Sequence, residues 1–455
     1  NYKLAFAPRL GAAYQINNKT VFRAGFGIMY NGTDNNNRTT GSVGSSNPFS
    51  TSAFGQPVMS FAGGVPFTAQ QIAWPNFSPG YYPIAGSQTG PPFVVDQNGG
   101  RPARQYMWSA GFQREIARNL VVDANYVGAR GIWWQAVTQV NYNAITPAAL
   151  AARGININNA ADQALLISPV NSTAAVARGF KVPFTGFPAN ATVAQSLRPY
   201  PQFNAGLTPL WAPLGDTWYE SFQMKVTKRL SHGLDVVYNF TRQKTLTIGA
   251  ESDSPAGNSG QVNDVFNRQV NRNLSSYDQP MISSISLNYS TPKWGKNKLV
   301  SYAVSDWEVH AFANYASGLP ILAPVATNNL NSMLFQNTFF SRVPGVPLFT
   351  QDLNCHCFDP NKTFVLNPAA WTNPPAGQFG TAAAYYSDYR FQRRPTENFG
   401  IGRNFRIREH VSLNVRTEFT NIFNRTEMNN PTSTNALATQ LKNAAGQTTA
   451  GFGFI

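Results

Sequence analysis

The chain has 455 residues, of which 12% are charged and 13% aromatic, and its 35 Lys and Arg against 21 Asp and Glu give a formal charge of +14. Charged residues at about half their usual share, a mean hydropathy of -0.27 and the lack of any run approaching eighteen apolar residues exclude a transmembrane helix. They leave open a membrane barrel, whose strands are apolar only at every second position. The basic excess suits nucleic acid, anionic lipid or an anionic solute. The basic residues are scattered and form no basic helix or reader motif, so no nucleic-acid partner is expected. The first residue is Asn1 and no signal-peptide pattern follows it, so the expectation is a fragment whose targeting segment lies upstream.

Ten candidate strands come in pairs. Lys3 to Ile16 meets Thr20 to Asn31 across "NNK", residues that tolerate tight backbone geometry. Phe22, Ala24, Phe26, Ile28 and Tyr30 make one face, opposite Val21, Arg23, Gly25, Gly27, Met29 and Asn31. Gln105 to Ile116 and Leu120 to Gly128 turn at "ARN", with Tyr106, Trp108, Ala110, Phe112 and Ile116, then Leu120, Val122, Ala124 and Tyr126, on one side. Tyr219 to Leu230 and Leu234 to Thr241 turn at "SHG"; Phe222, Met224, Val226, Val236, Tyr238 and Phe240 oppose Gln223, Lys225, Thr227, Arg229, Asp235 and Asn239. A fourth pair runs from Met281 to Ser290 and from Asp306 to Ala316. The fifth, Asn398 to Phe405 and Val411 to Phe423, turns at "RIREH" and places Val411, Leu413, Val415, Phe419 and Phe423 opposite Ser412, Asn414, Arg416, Glu418 and Thr420.

Between pairs the chain spends roughly 70, 90, 40 and 80 residues on segments rich in Asn, Gly, Pro and Ser. A soluble sandwich has short connections at both ends, whereas outer-membrane barrels have short periplasmic turns and long extracellular loops. Strands of about 9 to 11 residues also match a tilted membrane crossing better than the globular length of about 5 or 6. The expected fold class is therefore all-β, a partial antiparallel transmembrane β-barrel of about ten strands. Residues 1–423 form the barrel, and 424–455 read as a loop-like tail without the closing strand.

Several phrases, in order, carry a resemblance: "FAPRLGAAYQINNKTVFRAGFGIMY", "QYMWSAGFQREIARNLVVDANYVGARG", "YESFQMKVTKRLSHGLDVVYNFT", "DWEVHAFANYASGLPI", "LNPAAW" with "GQFG", and "NFGIGRNFRIREHVSLNVRTEFTNIFN". The chain resembles the Oar-like TonB-dependent outer-membrane receptors that carry an upstream carboxypeptidase-regulatory-like domain. The resemblance covers most strands and few loops. It implies the C-terminal piece of a 22-stranded barrel, the size class whose lumen holds a plug. It further implies a plug and TonB box upstream, and the inner-membrane TonB complex as energy-coupling partner.

No enzyme, cofactor or metal site is expected. "GFGIMY" begins like a dinucleotide loop but lacks the third glycine and reads as a strand; His232, His310, His356 and His410 sit apart, without a His-Glu-x-x-His or Gly-x-Ser-x-Gly element. Cys355 and Cys357, in "CHC", are read as a loop disulfide in an oxidising surface compartment, with metal ligation the lesser alternative for want of a fourth ligand. The candidate functional residues are the ionisable ones that the alternation turns towards the lumen: Lys3, Arg9, Arg23, Asp123, Lys225, Arg229, Arg416 and Glu418. Facing lipid near the midplane, each would cost about 2 to 4 kcal/mol. Tyr30, Trp133, Trp134, Trp218 and Trp307 fit interfacial girdles, and Thr146 before Pro147 starts a helix within a long loop. The function expected is an outer-membrane receptor that takes a solute from the long loops through the lumen. The solute class stays open among peptides, oligosaccharides and chelated metals. A surface adhesion barrel, or a soluble secreted all-β binding protein, are the alternatives.

Overall fold

A two-faced strand satisfies its backbone N–H and C=O groups only by pairing, so successive strands of this kind assemble edge to edge. In the structure, a computed structural model that describes residues 3–30, 61–63, 91, 94–249, 262–292, 298–355, 357–431 and 435–455, they do so in a single antiparallel sheet. Its first long strands are β1 (Arg9–Asn17), β2 (Thr20–Tyr30), β3 (Arg104–Ala117), β4 (Leu120–Trp134), β5 (Gly215–Ser231) and β6 (Leu234–Ile248). The two-residue β7 (Asn273–Leu274) adds to the end of β6, and β8 (Met281–Ser290) and β9 (Trp307–Ala316) follow. Four short strands, β10 (Pro320–Leu322), β11 (Ser341–Arg342), β12 (Trp371–Thr372) and β13 (Tyr385–Arg390), pair among themselves. The last long pair is β14 (Thr396–Arg408) and β15 (Val411–Phe419), and β16 (Leu441–Lys442) pairs with β17 (Thr448–Ala450).

The ten long strands lie in chain order, β1-β2-β3-β4-β5-β6-β8-β9-β14-β15, each antiparallel to its neighbour, and the sheet does not close. Several strands are longer than the sequence reading: β4 runs past Gly128 to Trp134, β6 past Thr241 to Ile248, and β5 begins at Gly215 instead of Tyr219, while the first and last strands are shorter. The first strand starts at Arg9, not Lys3: Pro8 has no N–H to offer a ladder, and Lys3 sits in an exposed turn. The last ends at Phe419, not Phe423: Asn421 and Asn424 adopt left-handed φ of 49° and 47°, and the Asn421 side chain both accepts from Arg425 N and donates to Arg425 O. Phe423 therefore leaves the alternating face.

All the short turns lie at one end of the sheet. At 232–233 both central residues have positive φ, His232 at 55° and Gly233 at 79°, the geometry that matches strand twist. A Cβ at Gly233 would stand 2.0 Å from Ser290 O, so glycine is required there. The other end carries 31–103, 135–214, 249–280 and 317–395.

The best buried residues lie in these connections. One core gathers Leu150, Leu166, Val193, Leu330 and Leu334 from 135–214 and 317–395. Its short helices start on side-chain caps: Thr146 accepts from Ala149 N at 3.0 Å ahead of Pro147–Ala151, as the sequence reading expected, and Asn159 caps Ala160–Ile167. A second core packs Ile321, Phe340, Leu366 and Tyr389 with Phe452 of the C-terminal segment. The described residues of 424–455, read from sequence as loop-like, form turns and the small β16–β17 hairpin laid against that core.

Two substitutions test this packing by thermal unfolding. Phe452→Ala should destabilise by about 3 to 5 kcal/mol through the cavity it leaves. Tyr389→Phe should be neutral or stabilising by about 1 kcal/mol, because the buried Tyr389 hydroxyl has no hydrogen-bond partner among the described residues. A loss of stability in Tyr389→Phe would contradict the environment described.

Candidate solute-binding surfaces

Register decides which side chains share a face. Arg23 stands opposite Ala13 and Gly111, and Asp123 directly opposite Lys225. Followed across the sheet, Gln113, Asp123, Lys225, Asn239, Ser284 and Asn314 form one row from β3 to β9. Further on, Asn288, His310, Gly400 and Glu418 form another. By this register Arg9, Arg23, Asp123, Lys225, Arg229, Arg416 and Glu418 all lie on one continuous face, and Lys3 does not join them. The face is hydrogen-bonded within itself: His310 Nδ1 lies 2.8 Å from Asn288 Oδ1, Tyr219 donates to Gln243 at 2.8 Å, and Arg416 and Glu418 pair at 2.7 Å.

The opposite face runs Phe22, Phe112, Ala124, Met224, Phe240 across the first strands, and Phe399 beside Phe419 at the last. Phe112 and Leu413 are 52% and 51% exposed, and the patch they belong to spans the sheet. An apolar surface of that extent needs a cover other than water. Arginine–aromatic stacks bracket it. At the loop end Arg130 and Arg272 lie 3.8 and 4.2 Å from the Trp218 ring centre, and Arg101 and Arg104 lie 3.5 and 4.6 Å from Trp133. Trp133 reaches that position through a bulge between Gly131 and Trp134, with φ at 62°. Arg104 also stacks on Tyr30, and Trp134 folds over Gly131. At the turn end Arg403 lies against Trp307 and Phe405. From Trp218 to Lys228 along β5, ten residue steps tilted about 40° climb about 25 Å, the height of an apolar membrane band.

The connections at the loop end form a cap joined by buried polar side chains. Asn263 accepts from Thr338 and donates to Gly380 O at 2.9 Å; Asn271 donates to Gln139 at 3.0 Å, and Gln336 to Ile145 O at 3.1 Å. Arg198, 4% exposed, donates to Asn143 O, Gln195 Oε1 and Ala205 O at 2.9 to 3.0 Å and stacks on Phe335 at 3.8 Å. Burial pulls its guanidinium down to about 10. At about 10 it stays charged at neutral pH. Asp278, which also accepts from Thr245 N, pairs with Arg390 at 2.5 Å and ties β6 to β13. Sequence reasoning missed all of these, since loop asparagines and arginines have no periodicity to mark them.

Between 140–153 and Phe266 the cap holds an open cleft of about 580 Å³, walled by Tyr142, Ala149, Leu197 and Phe266 with Arg153 at its side. That volume suits a small solute. Partial burial and the neighbouring Asp96 raise the pKa of the Tyr142 hydroxyl, so it stays a donor at neutral pH. Cys355 and Cys357 form a disulfide in an outer segment, and His356 lies outside the described residues. Among the described residues no group of three or more His, Cys, Asp or Glu is placed to hold a metal.

One apolar face with arginine–aromatic stacks at either end, one polar face, short turns at one end and folded loops at the other define the wall of a membrane barrel. The chain belongs to the outer membrane beta barrel domain family, whose model matches residues 1–455, and its place is the outer membrane. Similar solved structures include the ferric-catecholate import receptor Fiu of E. coli K12 (10% identity, TM-score 0.33), which covers 92% of this chain and is itself covered to 30%. The outer membrane transporter YddB of Escherichia coli (11%, TM-score 0.35) covers 92% and is covered to 37%. The ferripyoverdine receptor of Pseudomonas aeruginosa (9%, TM-score 0.33) covers 92% and is covered to 29%. The chain thus spans about a third of these proteins' lengths. No curated protein matches the sequence.

Arg198→Ala should loosen the cap by on the order of 3 kcal/mol, because the buried Asn143 O and Gln195 Oε1 lose their donor, while Ala205 O keeps that of Asn143 Nδ2. Limited proteolysis should then cut within 135–214 while the sheet keeps its circular dichroism. Because burial holds the folded value of about 10 below the unfolded one, any pH dependence from Arg198 is a gain in cap stability as pH rises above about 10, with none below.

Proposed function

We propose that this chain is wall and outer cap of a TonB-dependent receptor of the Oar-like type, importing a solute through a plugged barrel. Residues 1–423 supply ten strands of a 22-stranded barrel, and 424–455 lie on its outer side. The apolar face touches lipid, and the face bearing Arg9, Arg23, Asp123, Lys225, Arg229, Arg416 and Glu418 lines the lumen, where a plug covers it. The plug, TonB box and regulatory-like domain belong upstream of Asn1, and no catalysis is involved. The observation that carries this reading is the continuous polar face, coherent in register across every long strand, against a face whose apolar band has membrane height. The solute docks at the cap, where Tyr142, Phe266 and Arg153 offer apolar, aromatic and cationic contact.

Single cysteines test the orientation in cells. Position 416 should react with a membrane-impermeant maleimide once the lumen is open to water, and position 415 should not. Equal reactivity would reject the assignment of faces. For transport, uptake of a labelled solute should stop when the energy-coupling complex is deleted, while surface binding in the cold persists. Binding without any uptake in energised cells would favour an adhesion barrel instead.

A further inference from the structure

At the loop end of β8 and β9 a cleft of about 330 Å³ opens on the apolar face, and it is neither part of the cap cleft nor of the polar face. Its lower wall is Met281, Ser283 and Tyr315, of which Ser283 and Tyr315 are register partners on the apolar side. Its upper wall is Asn354, Arg393 and Arg425. The cleft is thus apolar towards the band and cationic away from it.

The charges around it do not balance. Arg425 donates through Nε to Glu397 at 2.7 Å, and the other Glu397 oxygen accepts from Tyr315 at 2.8 Å, so both oxygens of that carboxylate are engaged. Arg393 is held by two bonds, from its backbone N at 2.9 Å and its Nε at 3.3 Å, to Asn354 Oδ1, and its Nη groups meet no acceptor among the described residues. Among the described residues Arg394 reaches only Met428 O and Asn430 Oδ1, each at 3.4 Å. Arg390 nearby is already neutralised by Asp278. Elsewhere on this rim the arginines lie over tryptophan rings; here a guanidinium is fixed in place with its fork unoccupied. A planar fork of this kind matches phosphate geometry.

We propose that this cleft seats the phosphate of an outer-leaflet membrane lipid, with Arg393 as its principal contact, Arg394 and Arg425 as supporting charge, and the acyl chains lying down past Met281. A lipid, rather than a soluble anion, is favoured because the lower wall continues into the apolar band, 48% of Met281 being exposed there. The inference rests on the assignment of that band to lipid.

The full-length protein in phosphatidylcholine nanodiscs, titrated with phosphatidic acid and read by native mass spectrometry, tests it. The double variant Arg393→Gln, Arg394→Gln should lose about fivefold in phosphatidic acid affinity per arginine. Arg425→Lys, which keeps the charge beside Glu397, should stay within about twofold on the same scale, and circular dichroism checks that each variant is folded. Unchanged binding in the folded double variant overturns the proposal, and so does displacement of the lipid by millimolar inorganic phosphate, which would mark a soluble-anion site. A fluorophore on Met281→Cys, exposed to a membrane-embedded quencher, separates the two failures. Quenching without lipid retention sinks only the cleft, whereas no quenching sinks the assignment of the face itself.

Discussion

Every part of this molecule answers to one constraint: in a medium without water, a backbone N–H or C=O has no partner except another strand. The sheet meets it by pairing each long strand with its neighbour in sequence, over up to thirteen consecutive positions without a break. The pairing then fixes the faces, because a slip of one residue would exchange them throughout a strand. On β5 such a slip would put Gln223 and Lys225 into the apolar band and withdraw Phe222, Met224 and Val226 from it. With about 2 to 4 kcal/mol for a midplane cation alone, register is set as firmly by what must avoid lipid as by what seeks it.

The cap obeys the same requirement under the opposite condition. Its segments stand in water, so their backbone groups find partners there, and compactness comes from two small apolar cores. What those cores lack in extent is made good by amides, which offer donors and acceptors together and can bridge chains of unlike direction. Asn263 joins segments 117 positions apart, and Asn271 reaches from the end of β6's connection to Gln139. The buried Asp278–Arg390 pair adds little net stability by itself, yet losing either partner would strand a charge. Its role is to fix where the outer segments sit on the strand ends.

The sheet was legible because period two is a strong signal, repeated in Phe22, Phe26, Phe112, Phe222, Phe240 and Leu413. Where the reading ran past the true ends, at Lys3 and Phe423, it followed hydrophobicity and overlooked single residues that stop a strand: Pro8, and the left-handed Asn421. Thr146–Pro147 was legible for the same reason as the strands, since a cap is a local rule. Arg198, Asn263 and Thr338 were not, because their partners are set by how three distant connections fold together. The bulge that turns Trp133 onto Arg101 and Arg104 lies between these cases: the tryptophan was placed at the rim, but not the backbone conformation that aims it.

Five of the long strands, β3 to β6 and β14, exceed what a membrane needs, and the excess has a consequence for recognition. β5 has 17 residues against about 9 to 11 for a crossing, and its surplus, Asp216 to Trp218, stands at the loop end beside Arg130. The cap continues directly from it: Ala136 N donates to Ala212 O at 2.9 Å, and Gly249, just beyond β6, packs on Gln139 of the buried polar junction. A surface mounted on paired strands and closed by buried amides has little freedom left to lose when a solute settles on it. Affinity then need not offset the ordering of a flexible loop, which is the usual penalty for binding sites built on long connections. At the solute site proposed above, selectivity would then follow from the shape and charge already present at Tyr142, Phe266 and Arg153.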